Sequence, residues 1–116
     1  MENKRKTGSF YERFAAEYLT RCGLRILERN FRTRYGEIDL IADDGGTLVF
    51  VEVKYKRTPS DGYALEMVHP GKQYQVTRIA RQYLYSHHIP ESRPVRFDCI
   101  GITGSEIRYI RNAFEA

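Results

Sequence analysis

No apolar run in this chain of 116 residues approaches the length of a membrane span. A spanning helix is therefore not expected. The N-terminal stretch Met1-Glu2-Asn3-Lys4-Arg5-Lys6 is basic, but the apolar block of a signal peptide does not follow it. A cytoplasmic location is the expectation. Cysteine is scarce: Cys22 and Cys99 lack metal-motif spacing and read as buried thiols in a reducing compartment. Histidine is scarce too. His87 and His88 are adjacent and diverge on a helix, and His69 stands alone, so a zinc site is not expected. Internal repeats and low-complexity segments are absent.

What is present suits one folded domain spanning 1–116, with enough chain for a core and little to spare. Charged residues make up 29% and hydrophobic residues 41%, unlike a disordered tail. The net charge of +4 leans toward polyanionic partners, though solubility alone accounts for such an excess. Its distribution says more. Arg25, Arg29, Arg32 and Arg34 precede an acidic segment, Lys54, Lys56 and Arg57 follow it, and Arg78 and Arg81 lie further on. Positive charge thus brackets the acids, as a phosphate-binding rim would.

That acidic segment is the most informative part of the chain. Gly36-Glu37-Ile38-Asp39-Leu40 and Phe50-Val51-Glu52-Val53-Lys54 each set charges at every second position of an apolar run. Residues two apart on a strand share a face, so Glu37 and Asp39 point one way, and Ile38 and Leu40 the other. Glu52 and Lys54 likewise share a face. Burying unpaired carboxylates is costly, and a divalent metal site beside a phosphodiester would justify it. Asp43-Asp44-Gly45-Gly46 between the segments is a hairpin turn signal. Asp43 pairs with Gly46 if Asp44-Gly45 is the turn, or with Leu48 if the loop has four residues. Either register sets Asp39 and Glu52 on one face, in reach of a shared ion. A three-residue loop would separate them. The plainer reading is an exposed sheet face with cross-strand ion pairs, each contributing at most about 1 kcal/mol.

The remaining elements follow from periodicity. Thr7 or Ser9 caps a helix running to about Cys22, with Phe10, Phe14, Ala15, Tyr18, Leu19 and Cys22 as its stripe and Gly23 as its stop. Leu24 to Thr33 reads as a strand, then Glu37 to Ala42 and Thr47 to Tyr55 as the hairpin. Arg57 to Gly71 reads as a loop or flap. Pro70 opens a second helix, where Val76, Ile79, Ala80, Tyr83 and Leu84 pack on one face. Tyr18, Tyr74 and Tyr83 are assigned to the core. Strands follow at Val95 to Ile102 and Glu106 to Ile110. The order is α-β-β-β-α-β-β, with the third and fourth strands parallel and central.

An aspartate on one strand and Glu-x-Lys on the next resembles the PD-(D/E)XK nuclease superfamily. A longer string resembles the YraN family of small bacterial endonuclease-like proteins: Gly8, Glu12, Ala16, Leu19, Asn30, Gly36-Glu37-Ile38-Asp39, Phe50-Val51-Glu52-Val53-Lys54, Arg96-Phe97-Asp98 and Ala113-Phe114. One departure is Ile38, where the superfamily pattern has proline. The resemblance implies an α/β, restriction-endonuclease-like fold, a mixed sheet flanked by helices. It implies a magnesium- or manganese-dependent endonuclease acting on DNA, similar to Holliday-junction resolvases and directed at branched or structured DNA.

In that reading Asp39, Glu52 and the Val53 carbonyl hold the metal, and Glu12 holds a second metal or a water. Glu12 also has a bland explanation, as a first-turn acid favoured by the helix dipole. Lys54 orients the attacking water or offsets transition-state charge. Glu37 belongs to the motif and supports from the same face. Lys56, Arg57, Lys72, Gln75, Arg78 and Arg81 are the candidate DNA contacts. Arg96 and Asp98 read as a buried pair bracing the sheet. Two alternatives stay open: a nucleic-acid-binding domain on a nuclease fold with little or no catalysis, and a small adaptor whose charged hairpin is only surface. A homodimer is left open.

Overall fold

The computed structural model describes residues 4–56, 69–104 and 106–114. Its elements are α1 (Lys4–Arg21), β1 (Arg25–Thr33), β2 (Gly36–Asp44), β3 (Thr47–Lys56), α2 (Pro70–Ser86), β4 (Val95–Thr103) and β5 (Glu106–Phe114). The order matches the one read from sequence. The five strands form one sheet in chain order. β3 and β4 are parallel and interior, and the other neighbours are antiparallel.

The sheet divides the core in two. On one face α1 buries Ala15, Ala16 and Leu19 against Leu40, Ala42, Val49, Val51, Ile100 and Ile102. On the other, α2 buries Val76, Ile79, Ala80 and Tyr83 against Ile38, Ile41, Leu48, Phe50, Phe97 and Cys99. Strands covered on both faces read as near-continuous apolar runs, which is why Leu48 to Val51 is unbroken.

Helix ends follow local chemistry. α1 begins at Lys4, ahead of the expected cap at Thr7 or Ser9, whose side chains lie outside the described residues. It stops as expected at Gly23: Gly23 N donates to the Thr20 carbonyl and Leu24 N to the Leu19 carbonyl, both at 3.0 Å, in the Schellman pattern. His69 caps α2, its Nδ1 accepting from Gly71 N at 3.1 Å, with Pro70 in the first turn. Two assignments are corrected. Cys22, just past the helix end, is exposed rather than buried. Tyr74 is 65% exposed, because the apolar stripe of α2 starts only at Val76. The expected flap at Arg57 to Gly71 lies outside the described residues over 57–68.

β5 continues past Ile110 to Phe114 because of a buried acid. Asp98, fully buried on β4, takes two hydrogen bonds from Arg96, at 2.9 and 3.0 Å. Tyr109 donates a short one, and Asn112 N another at 2.9 Å. Asn112 is left-handed at φ 53, beside a shift in register between Phe97 and Cys99. This bulge lets the strand serve Asp98 and still return Phe114 to Phe97. Arg96 also reaches Asp44 at 2.9 Å, tying β4 to the hairpin turn. The bracing pair read from sequence is thus a network, with every lone pair of a buried charge engaged.

Candidate metal centre

The β2–β3 ladder runs from Asp44↔Thr47 to Leu40↔Val51 and ends there. The loop is Gly45-Gly46, with φ of 58° and 101°, values that glycine supplies without steric cost. This is the Asp43↔Leu48 register, closed by a tighter turn than the four-residue loop expected with it. Beyond the ladder, β2 stays with β1 to Gly36, and β3 stays with β4 to Lys56. The sheet forks, and Asp39 and Glu52 are the first residues inside. The fork leaves Val53 N–H to find an acceptor, and Asp39 Oδ2 takes it at 2.8 Å.

The expected alternation along β2 fails at this point. Ile38 packs under α2, whereas Leu40 packs under α1. The cause lies on β1. Asn30 stands between the Arg29↔Leu40 and Phe31↔Ile38 pairs, opposite Asp39, in left-handed conformation at φ 54. Such a residue breaks the pleat, and asparagine tolerates it better than most. Asn30 also hydrogen-bonds Glu12 through its side chain. Sequence reasoning gave Asn30 no role.

Glu12 from α1 and Glu37 and Asp39 from β2 each bring a carboxylate oxygen to one point, all within 4.8 Å of one another. Asp39 is only 9% exposed. Burial, then the charge of Glu52, push its carboxyl up to about 8; the Val53 N–H opposes this, and Glu12 and Glu37 add to it. Burial also raises Glu12, offset first by the Asn30 hydrogen bond, with Glu37 raising it further. A side-chain hydrogen bond with Asp39 offsets part of the rise at Glu12.

Glu52, 8% exposed, faces lysines: Lys72 of α2 at 3.1 Å and Lys54 at 3.5 Å. Arg32 pairs with Glu37 at 3.0 Å. The fork therefore sets Glu12, Glu37, Asp39 and Glu52 against Lys54, Lys72 and Arg32. Sequence reasoning saw one lysine there. Lys72 arrives from α2, distant in sequence, whereas Arg32 stands on β1 only five residues from Glu37; one proton on Asp39 balances the charge.

Residues 11–102 match the profile of uncharacterised protein family UPF0102. The chain belongs to this family. It is 46% identical to a UPF0102 protein of Lachnoclostridium phytofermentans, over 98% of this chain and 97% of that one. It is likewise 46% identical to a UPF0102 protein of Persephonella marina, over 87% and 86%. A UPF0102 protein of Stutzerimonas stutzeri is 41% identical over the full length of both chains. The UPF0102 match takes in every described residue of the fork, from Glu12 to Lys72.

The fork thus gathers Asp39, Glu52, Lys54, Glu12 and Glu37, and holds Val53 by its N–H. Of the DNA-contact candidates, Lys72 touches Glu52. Gln75 Nε2 donates to the Tyr35 carbonyl at 2.6 Å, and Arg78 lies over the Tyr35 ring. Lys56 is half-buried at the end of β3, and Arg57 lies outside the described residues. Arg81 is not at the fork. It lines an open groove of about 540 Å³ with Leu84, Tyr85 and Ile89, toward the far end of α2. No described helix is long and apolar enough to cross a membrane.

Proposed function

We propose that this chain is a metal-dependent nuclease of the PD-(D/E)XK type that hydrolyses phosphodiester bonds in DNA, with branched or structured DNA as its substrate. The observation that carries the reading is the convergence of Glu12, Glu37 and Asp39 within 4.8 Å, beside two lysines. Hard carboxylate oxygens suit magnesium or manganese. The donor set fits: burial and then the charge of neighbouring acids hold a proton on Asp39 near neutral pH, and a divalent cation would replace that proton. Asp39, Glu37 and Glu12 would hold the cation, with Glu52 and the Val53 carbonyl at the rim. When bound, it supplies Lewis-acid polarisation of the phosphate and a more acidic water.

The chain's own residues do the rest. The Val53 N–H and the Arg32 ion pair orient Asp39 and Glu37. Lys54 and Lys72 flank the position a phosphate would take and stabilise negative charge that grows during hydrolysis. Arg34 and Arg78 meet neighbouring phosphates. A cytoplasmic setting suits Cys22 and Cys99 persisting as thiols.

A DNA-binding domain without turnover is the second reading. It is favoured by Glu52, whose lysine partners already neutralise it. A cleavage panel of single-stranded, duplex, flap and four-way-junction DNA with magnesium or manganese separates the two. Metal-dependent cutting of at least one substrate is expected. If none is cut while manganese still raises the thermal midpoint, the second reading holds.

A further inference from the structure

α2 carries one polar stripe along the edge of the fork. Lys72 meets Glu52 at 3.1 Å. One turn later, Gln75 holds the Tyr35 carbonyl at 2.6 Å. One turn beyond that, the Arg78 guanidinium lies 3.8 Å from the centre of the Tyr35 ring and 5.5 Å from that of Tyr74. Arg34 lies over the Tyr35 ring at 4.9 Å and donates to its phenol oxygen at 2.7 Å. Gly36 permits this close approach. A Cβ there would sit 2.6 Å from Gln75 Nε2, and its φ of +129° disfavours a side chain.

Pinning the β1–β2 turn to α2 needs only the Gln75 bond and the Tyr35 ring. Tyr74 is left over. Its ring is 65% exposed and outside both cores, yet Arg78, one turn along the same helix face, lies over it. An exposed ring held by a guanidinium, beside arginines and next to an acidic fork, has the chemistry that binds a nucleobase while its phosphates meet the cations.

We propose that Tyr74 and Arg78, backed by Tyr35 and Arg34, form a stacking platform for an unpaired base. The substrate would then be duplex DNA with a single-stranded arm, the arm lying along α2. The proposal rests on the DNA reading above and deepens it. Lys72 and Arg78 are separated by roughly 9 Å along the helix, a span of two to three stacked nucleotides at about 3.4 Å each. The base on the platform therefore belongs to a nucleotide two or three steps from the phosphate at the fork. A blunt duplex keeps its bases paired and offers none to the ring.

The test uses the full chain in EDTA, so that cutting plays no part. Fluorescence anisotropy compares a labelled blunt duplex, the same duplex with a short single-stranded arm, and the arm built from abasic sugars. The arm should tighten binding about tenfold, and the abasic arm should not. Tyr74→Ala should erase the difference and Tyr74→Phe should keep it, with thermal midpoints confirming that both variants fold. An arm preference that survives Tyr74→Ala, or an abasic arm that binds as well as the natural one, overturns the platform. Cleavage is scored separately on the same DNAs with manganese. Arm preference without cutting keeps the platform and refutes the nuclease. Cutting without Tyr74-dependent preference does the reverse.

Discussion

Asp39→Asn should stabilise the metal-free protein at alkaline pH. The acids of the fork raise the Asp39 carboxyl from its ordinary 3.8 to about 8, chiefly through burial and the charge of Glu52. The folded carboxyl keeps a proton that the unfolded one has lost. Stability therefore falls as pH rises from about 4 to about 8, and levels off above. Each pH unit in that window costs roughly 1.4 kcal/mol for an independent group. Because the Asp39 carboxyl titrates against Glu52, Glu12 and Glu37 rather than alone, we expect about half of the full amount, on the order of 2–3 kcal/mol at pH 8.5. Asparagine accepts from the Val53 N–H as aspartate does, and it carries no charge at any pH. Urea unfolding in EDTA, from pH 5 to 9, should show the parent weakening relative to Asp39→Asn from the start of the scan until about pH 8. Magnesium should restore the parent and leave the variant unmoved. Parallel pH curves for the two proteins would refute the crowding of charge at Asp39.

Much of this was legible in the sequence, for local reasons. Charges spaced by two in Glu37-Ile38-Asp39 and Glu52-Val53-Lys54 cannot be explained by packing, and the apolar spacing of Val76, Ile79, Ala80 and Tyr83 names a helix face. The hairpin register brings Asp39 and Glu52 level at the fork, but a shared face does not follow from it, because alternation along β2 breaks between Ile38 and Leu40. What was hidden depends on contacts between distant elements. Lys72 reaches Glu52 only once α2 is docked, and Asn30 gains a role only because it stands opposite Asp39. A left-handed residue inside a strand carries no periodic signal, so the break in alternation at Ile38 could not be seen. Tyr74 was assigned to the core because it borders the stripe of α2, yet it falls one turn too early to be covered.

Other outcomes follow from the same geometry. Asn30→Ala should cost about 1–2 kcal/mol in urea unfolding through its left-handed backbone. Asn30→Gly should recover most of that stability while still weakening manganese binding by calorimetry, since the Glu12 contact is lost. Asp98→Ala should destabilise by roughly 3–5 kcal/mol, because it removes the acceptor of two Arg96 hydrogen bonds, of Tyr109 and of the Asn112 N–H and leaves Arg96 only Asp44 as a charged partner, and Tyr109→Phe by about 1–3 kcal/mol. Neither should alter metal affinity, which calorimetry checks. Glu52→Gln, in contrast, should weaken manganese binding without unfolding the chain.

Lys54→Ala separates chemistry from binding most directly. An ammonium is not a metal ligand, so manganese affinity should stay near the parental value. A single-turnover assay at saturating protein removes defects in DNA binding and leaves those in the chemical step. With a substrate that the parent cuts, Lys54→Ala should slow cleavage by roughly two or more orders of magnitude. Cleavage by Lys54→Ala at the parental rate would contradict the proposed nuclease centre.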